Sequence, residues 1–116
     1  MLEINFEEAG DVALVAAVSG EIDSSNANDL RISVADRLAT SITVLVLDLT
    51  DVTYLDSSGV ESVFELARRL AERRQELRLV APVGSGTRRV LELCAVGGVA
   101  ELLATRSESL ADLPGV

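Results

Sequence analysis

At residues 55–60 the chain reads "LDSSGV": after a leucine come a carboxylate, Asp56, two adjacent hydroxyls, Ser57 and Ser58, then Gly59 and the start of a helix-like pattern. Three chemistries suit serines so placed. The first is structural. A serine that opens a helix accepts a hydrogen bond from a free backbone N–H of the first turn, for about 1 kcal/mol. On that reading Ser57 or Ser58 caps a helix beginning at Gly59 or Val60. The second is phosphoryl acceptance. A helix N-terminus presents unpaired N–H groups and a partial positive charge, so a phosphate of about −2 charge placed there need not unfold anything. It would turn a neutral hydrogen-bonding surface into a bulky anion beside Asp56, with Asp23 of an earlier loop nearby, and repel a partner shaped for the bare hydroxyl. The third, a serine nucleophile, needs a base. The chain has no His and no Lys, so neither a Ser-His-Asp triad nor a Ser-Lys pair can be assembled.

The other polar motifs carry less. Asp48 sits in an aliphatic run, as the phosphoacceptor of a receiver domain does. The early acidic pair and the later lysine of such domains are missing, so Asp48 reads as a strand-end residue that bonds nearby backbone N–H groups. "VGSGTR", residues 83–88, lacks the spacing and the lysine of a P-loop and reads as a helix cap. "ARRLAERRQELR", residues 67–78, interleaves glutamates with its arginines, which describes a solvated helix face. Cys94 follows Leu91 and Val90 at helical spacing and is expected in the core. One cysteine and no histidine leave no ligand set for zinc, and no cofactor is expected.

The elements that must position these residues follow from hydrophobic period. "LEINFE" alternates strictly and predicts a half-buried strand; "EAGD" turns the chain, and Val12–Ser19 returns as the second strand of an antiparallel hairpin. Asp23, Ser24 and Ser25 are N-cap candidates for a helix marked by Ala27, Leu30, Val34 and Leu38 and running to about Ala39. Thr43–Thr50 is a continuous aliphatic run, too short for a stable helix, and predicts a strand buried on both faces. Val60, Val63, Phe64, Ala67, Leu70 and Ala71 mark one face of the next helix, on which Glu65 and Arg69 form an i,i+4 pair. A strand at Leu77–Pro82, a helix capped near Ser85 and closed by Gly97 or Gly98, a weak strand in "VAELLAT" and a short helix capped by Ser107 complete the order ββαβαβαβα. A hairpin followed by β-α alternation implies an α/β fold whose mixed, mostly parallel sheet carries helices packed on it. Open sheets of this kind bind at the carboxyl ends of their strands. Asp23, Asp51, Asp56 and Ser57 are expected to gather there.

Length and composition set outer bounds. A chain of 116 residues fits one domain, taken as residues 1–116. A net charge of −9 repels nucleic-acid phosphates and anionic lipid, and 3% aromatics leave little to stack on bases. No apolar run is long enough to cross a bilayer, the first ten residues lack the pattern of a signal peptide, and a lone cysteine fits a reducing cytoplasm.

"GEID" at residues 20–23, "LVLDLTDVTYLDSSGV" at 45–60 and "TRRVLELCAVGG" at 87–98 together resemble the STAS domain of anti-sigma factor antagonists, over nearly the whole chain and in the same order of elements. The resemblance implies a small protein without catalytic activity that works by partner switching. The unphosphorylated antagonist binds an anti-sigma factor, which then releases its sigma factor. That anti-sigma factor is also a serine kinase with a histidine-kinase-like ATPase fold, and a PP2C-type phosphatase reverses the modification. Carried over by position, the phosphoacceptor is Ser57, and Asp23, Asp56, Ser58 and Gly59 belong to the partner-binding face. Where the family often shows D-S-S-G-L-G, this chain has D-S-S-G-V-E, which places Glu61 in the first helical turn, within reach of a capping box. STAS domains also occur as accessory subunits of transporter ATPases and in sensory assemblies, the alternative role. A small-ligand binder using the strand ends is a third reading.

Overall fold

The alternating residues at the N-terminus form β1, Leu2–Ala9, which pairs antiparallel with β2, Ala13–Ile22, in a computed structural model that describes residues 1–116. The aliphatic run becomes β3, Val44–Leu55, parallel to β2. β4, Glu76–Val80, and β5, Glu101–Leu103, extend the sheet in parallel, giving the order β1-β2-β3-β4-β5. α1, Ala27–Arg37, α2, Ser57–Glu72, and α3, Gly86–Leu93, cross between the parallel strands, and α4, Arg106–Leu110, follows β5. The expected α/β architecture and element order hold.

The pleat explains the two layers. Leu45, Leu47 and Leu49 of β3 point to a face covered by α1, α2 and α3, where they join Leu30, Val34, Val63, Leu66, Leu70 and Leu91 in the main core. Val44 and Val46 point the other way and meet Ala13, Val15, Val80 and Leu110, so α4 covers part of the second face. β3 is therefore buried on both sides along its first half, which is why it reads as an unbroken apolar run. Burying a leucine of this layer is worth about 2 kcal/mol.

Several boundaries differ from expectation. β3 continues past Thr50 to Leu55, because the polar residues after Thr50 still pair with β2, Ser19 with Asp51 and Ile22 with Leu55. α2 begins at Ser57, two residues early, because Asp56 rather than a serine is its cap. The cap of α1 is Asn26, without a side-chain bond to the helix, and Asp23 is engaged within its own loop. α3 ends at Leu93. Ala95 then takes a left-handed conformation (φ 58°) and leads into a 3-10 turn, Val96–Gly98, so the glycines do not close α3 itself. Thr105, not Ser107, caps α4 by accepting from the Glu108 N–H at 3.2 Å. Cys94 is exposed, because α3 has ended and the chain turns away from the core there. Leu66 joins the buried face of α2, whereas Ala71 is exposed.

Candidate functional site

The carboxyl ends of β2 and β3 bring two loops together. The Asp56 N–H donates to the carbonyl of Ile22, the last residue of β2, at 3.2 Å. In the β2–α1 loop the Asn26 amide donates to the Glu21 carbonyl at 2.9 Å and its oxygen accepts from the Asp23 N–H at 3.0 Å. Asp23 accepts from the N–H of Ser25 at 2.9 Å and from the Ser25 hydroxyl. The hydroxyl first and the N–H second hold the Asp23 carboxyl below the ordinary aspartate range. The loop therefore closes on itself and presents a fixed carboxylate.

Asp56 is extended, with φ −97° and ψ −174°, and its carboxylate accepts from the Gly59 N–H at 3.1 Å. Aspartate caps a helix as well as serine does. That assignment leaves the serines free. Ser57 is exposed and is the first residue of α2, Ser58 is half-buried and is the second, and neither hydroxyl has a hydrogen-bond partner within the chain. The N–H groups of Ser57 and Ser58 are likewise unpaired at the positive end of a 16-residue helix. Gly59 is buried and packs where side chains meet. A Cβ there would collide with Leu55 Cδ1 and lie 2.9 Å from Ile22 Cγ2, so the glycine lets the helix start sit directly on the strand ends.

Asp23, Asp56, Ser57, Ser58 and Gly59 thus share one edge, as expected. Asp51 does not join them. It lies inside β3, paired with Ser19, and lines a shallow depression with Asn5 and Asp48 on the face that carries α4. Asp48 is also inside the strand. Its carboxylate accepts from the Thr50 N–H at 3.0 Å and from the Arg106 Nε at 3.0 Å, so it is anchored. Glu61 stands in the second turn of α2 because the helix starts early, and it makes no capping bond back to Asp56. Sequence reasoning did not single out Tyr54, 52% exposed beside Asp56, or Val83, 76% exposed in the loop after β4. Their signal would have been an aromatic or aliphatic residue at a strand end.

Two of the grooves beside α2 reach its first turns. One, of about 360 Å³, lies between α1 and α2 and is lined by Ser24, Asn28, Arg31, Ser58, Glu61 and Glu65 among others. The other, of about 800 Å³, is lined by Phe64, Ala67 and Ala71 with Gly98 and Val99, and Glu61 reaches it too. The Ser62 hydroxyl donates to the Ala27 carbonyl at 3.1 Å and ties the two helices beside the serines.

The STAS domain profile matches residues 3–110. The chain belongs to the STAS domain family. This STAS domain superposes on the crystal structure of an anti-sigma factor antagonist from Mycobacterium paratuberculosis with a TM-score of 0.84 and 29% identity, covering 96% of this chain and 92% of that one. The phosphorylated form of SpoIIAA, a Bacillus cell fate determinant, matches at TM-score 0.69 and 21% identity over 94% of this chain and 97% of that one, and shares the fold. A probable sulfate transporter 3.4 from Arabidopsis thaliana is 38% identical over 76 residues, which are 64% of this chain and 12% of the transporter. This STAS domain therefore spans a small part of that curated relative. None of its helices is long and apolar enough to cross a membrane.

Proposed function

We propose that the protein is an anti-sigma factor antagonist that works by partner switching. Its unphosphorylated form binds a kinase-type anti-sigma factor with a histidine-kinase-like ATPase fold and frees the sigma factor. Phosphorylation of Ser57 ends the binding, and a PP2C-type phosphatase restores it. On this reading residues 1–116 act as one STAS domain in the cytoplasm, without catalysis, cofactor, nucleic-acid contact or membrane insertion.

The observation that carries the proposal is the division of labour at the start of α2. Asp56 does the capping, so the exposed Ser57 hydroxyl has no structural duty, and it stands at a helix end with two unpaired N–H groups. A phosphate there meets favourable charge from the helix and leaves the cap intact. A partner lying against Asp23, Asp56, Ser58 and Gly59 would meet about two added negative charges. The likeness to the Mycobacterium paratuberculosis antagonist supports the same reading.

The test is a pull-down from cell extract with mass spectrometry of the bait, which reports partner and phosphosite together. A soluble kinase-type partner and a Ser57 phosphate are expected. The match to the sulfate transporter favours one alternative, an accessory subunit of a transporter, over the other, a scaffold in a sensory complex. Recovery of a membrane transporter with unmodified Ser57 would establish that role instead.

A further inference from the structure

Adjacent serines in a helix differ by about 100° around its axis, so Ser57 and Ser58 face different surroundings. Ser58 opens the groove between α1 and α2, and its helical neighbours Glu61, Ser62 and Glu65 line the same groove. Ser57 stands outside it and is exposed. Across the groove is Arg31.

Five of the ten arginines of this acidic chain pair with no carboxylate, and Arg31 is the one of them that lines the groove beside Ser58. Arg68, Arg69, Arg78, Arg88 and Arg106 each hold a carboxylate. Arg31 is half-buried, holds none, and donates instead to the neutral Asn28 side chain at 2.6 Å. That bond turns the guanidinium back toward the N-terminal end of α1. The two helices run in parallel there, with Ala27 against Ser62, so this is also the serine end of α2. A guanidinium so held keeps most of its five donors for another anion. Of the carboxylates lining the groove, Glu65 is committed to Arg68 and Arg69, and Glu61 has no ion pair.

We propose that Arg31 is the in-chain partner of a phosphate carried on Ser58, and that the two serines therefore give different outputs. This rests on the reading that the start of α2 accepts phosphate. Transfer to Ser58 breaks the bridging P–O bond at the γ-phosphorus of a nucleoside triphosphate and forms a bond from that phosphorus to Oγ. The hydroxyl proton passes to the kinase's base and the nucleoside diphosphate leaves. The phosphate on Ser58 is drawn into the α1–α2 groove by Arg31, in the bidentate geometry that guanidinium and phosphate favour. A phosphate on Ser57 has no such partner and stands on the surface, where it repels whatever docks. Glu61 opposes the phosphate in the groove, and Asp23 and Asp56 stand at the strand ends beside it, so Arg31 decides the balance.

The experiment uses the full chain with phosphoserine incorporated during translation in place of Ser58 or of Ser57, so no kinase is needed. The phosphorus NMR shift is followed against pH in wild-type, Arg31→Gln and Arg31→Lys backgrounds. The second ionisation of a phosphoserine ordinarily falls at about pH 6. The phosphate at position 58 should titrate at least about 0.5 unit lower with Arg31 than with Gln, with Lys intermediate, and the phosphate at position 57 should move by less than about 0.2 unit. Equal values at position 58 in the wild-type and Arg31→Gln chains, or equal shifts at both positions, would overturn the proposal. If the kinase assay on unmodified protein fails while the position 58 shift appears, the phosphorylation reading falls and the Arg31 pairing stands.

Discussion

At the residue scale the account turns on Asp56 and Gly59. Asp56→Ala removes the bond to the Gly59 N–H and should cost about 1 kcal/mol in a denaturant titration, while Ser57→Ala should stay within about 0.5 kcal/mol of wild type. The reverse ranking would mean that the serine caps the helix after all. Gly59→Ala sets a gain in helix propensity of about 1 kcal/mol against an overpacking cost of about 1–3 kcal/mol where the new methyl meets Leu55 and Ile22. A net loss in melting temperature is expected, and a more stable variant would show that the core yields easily at the strand ends. The position of Asp56, Ser57 and Ser58 at a helix start was legible in the sequence. Which of them caps was not, because aspartate and serine cap equally well and only the backbone at Asp56 decides.

At the element scale the informative piece is α4, a single turn and a half on the second face of the sheet. Besides the packing of Leu110 and the Arg106–Asp48 bond, it is held by Arg78 of β4, a residue 6% exposed, whose guanidinium donates to Asp112 at 2.7 and 3.1 Å, to Glu76 at 2.7 Å and to the Ser109 carbonyl at 2.8 Å. Arg78→Met would leave that buried carbonyl unpaired and should cost about 1–3 kcal/mol. Arg78 holds the Asp112 carboxyl below the ordinary range. The native state thus binds that proton less readily than the unfolded chain. The contribution of Asp112 is full above the ordinary aspartate pKa of about 3.9 and is lost as pH falls through its lowered native value. Melting curves of wild type and Asp112→Asn should differ at neutral pH and converge below about pH 4; a gap that persists or widens in acid would contradict the pairing. None of this was legible beforehand. Arg78 lies in a five-residue strand whose partners are 31 and 34 residues away, and no local pattern carries such a contact. The late half of β3 was missed for a related reason, since from Thr50 on only every third residue is buried, beside register shifts against β2, and neither an apolar run nor a strand's alternation is left to read.

At the scale of the whole molecule the alternating period of β1, the apolar runs of β2 and β3 and the amphipathic α2 were enough to name a mixed, mostly parallel sheet and the order of elements along the chain. The assembly of the site was only half visible. Strand ends predict that Asp23 and Asp56 meet. Asp51 escapes because its strand runs on, and the grooves beside α2 depend on where α1 and the 96–98 turn settle. The charge of −9 adds a prediction of its own. Steering of a basic partner surface is screened beyond a Debye length of about 8 Å at physiological salt, so the association rate should fall roughly tenfold from low to high salt while dissociation changes little. Stopped-flow association that is flat in salt would remove electrostatics from the encounter.

The central claim is that phosphate on Ser57 switches binding without disturbing the fold. The most direct measurement incubates the protein with the proposed kinase-type anti-sigma partner and ATP, reads intact mass and phosphosite, and then measures affinity and melting temperature of the product. The account predicts a phosphate on Ser57, affinity weakened at least about tenfold, a nearly unchanged melting temperature, and no such loss of affinity when Ser57→Ala is treated in the same way. A product that carries no phosphate on Ser57, or a Ser57-phosphorylated protein that binds as tightly as before, would contradict it.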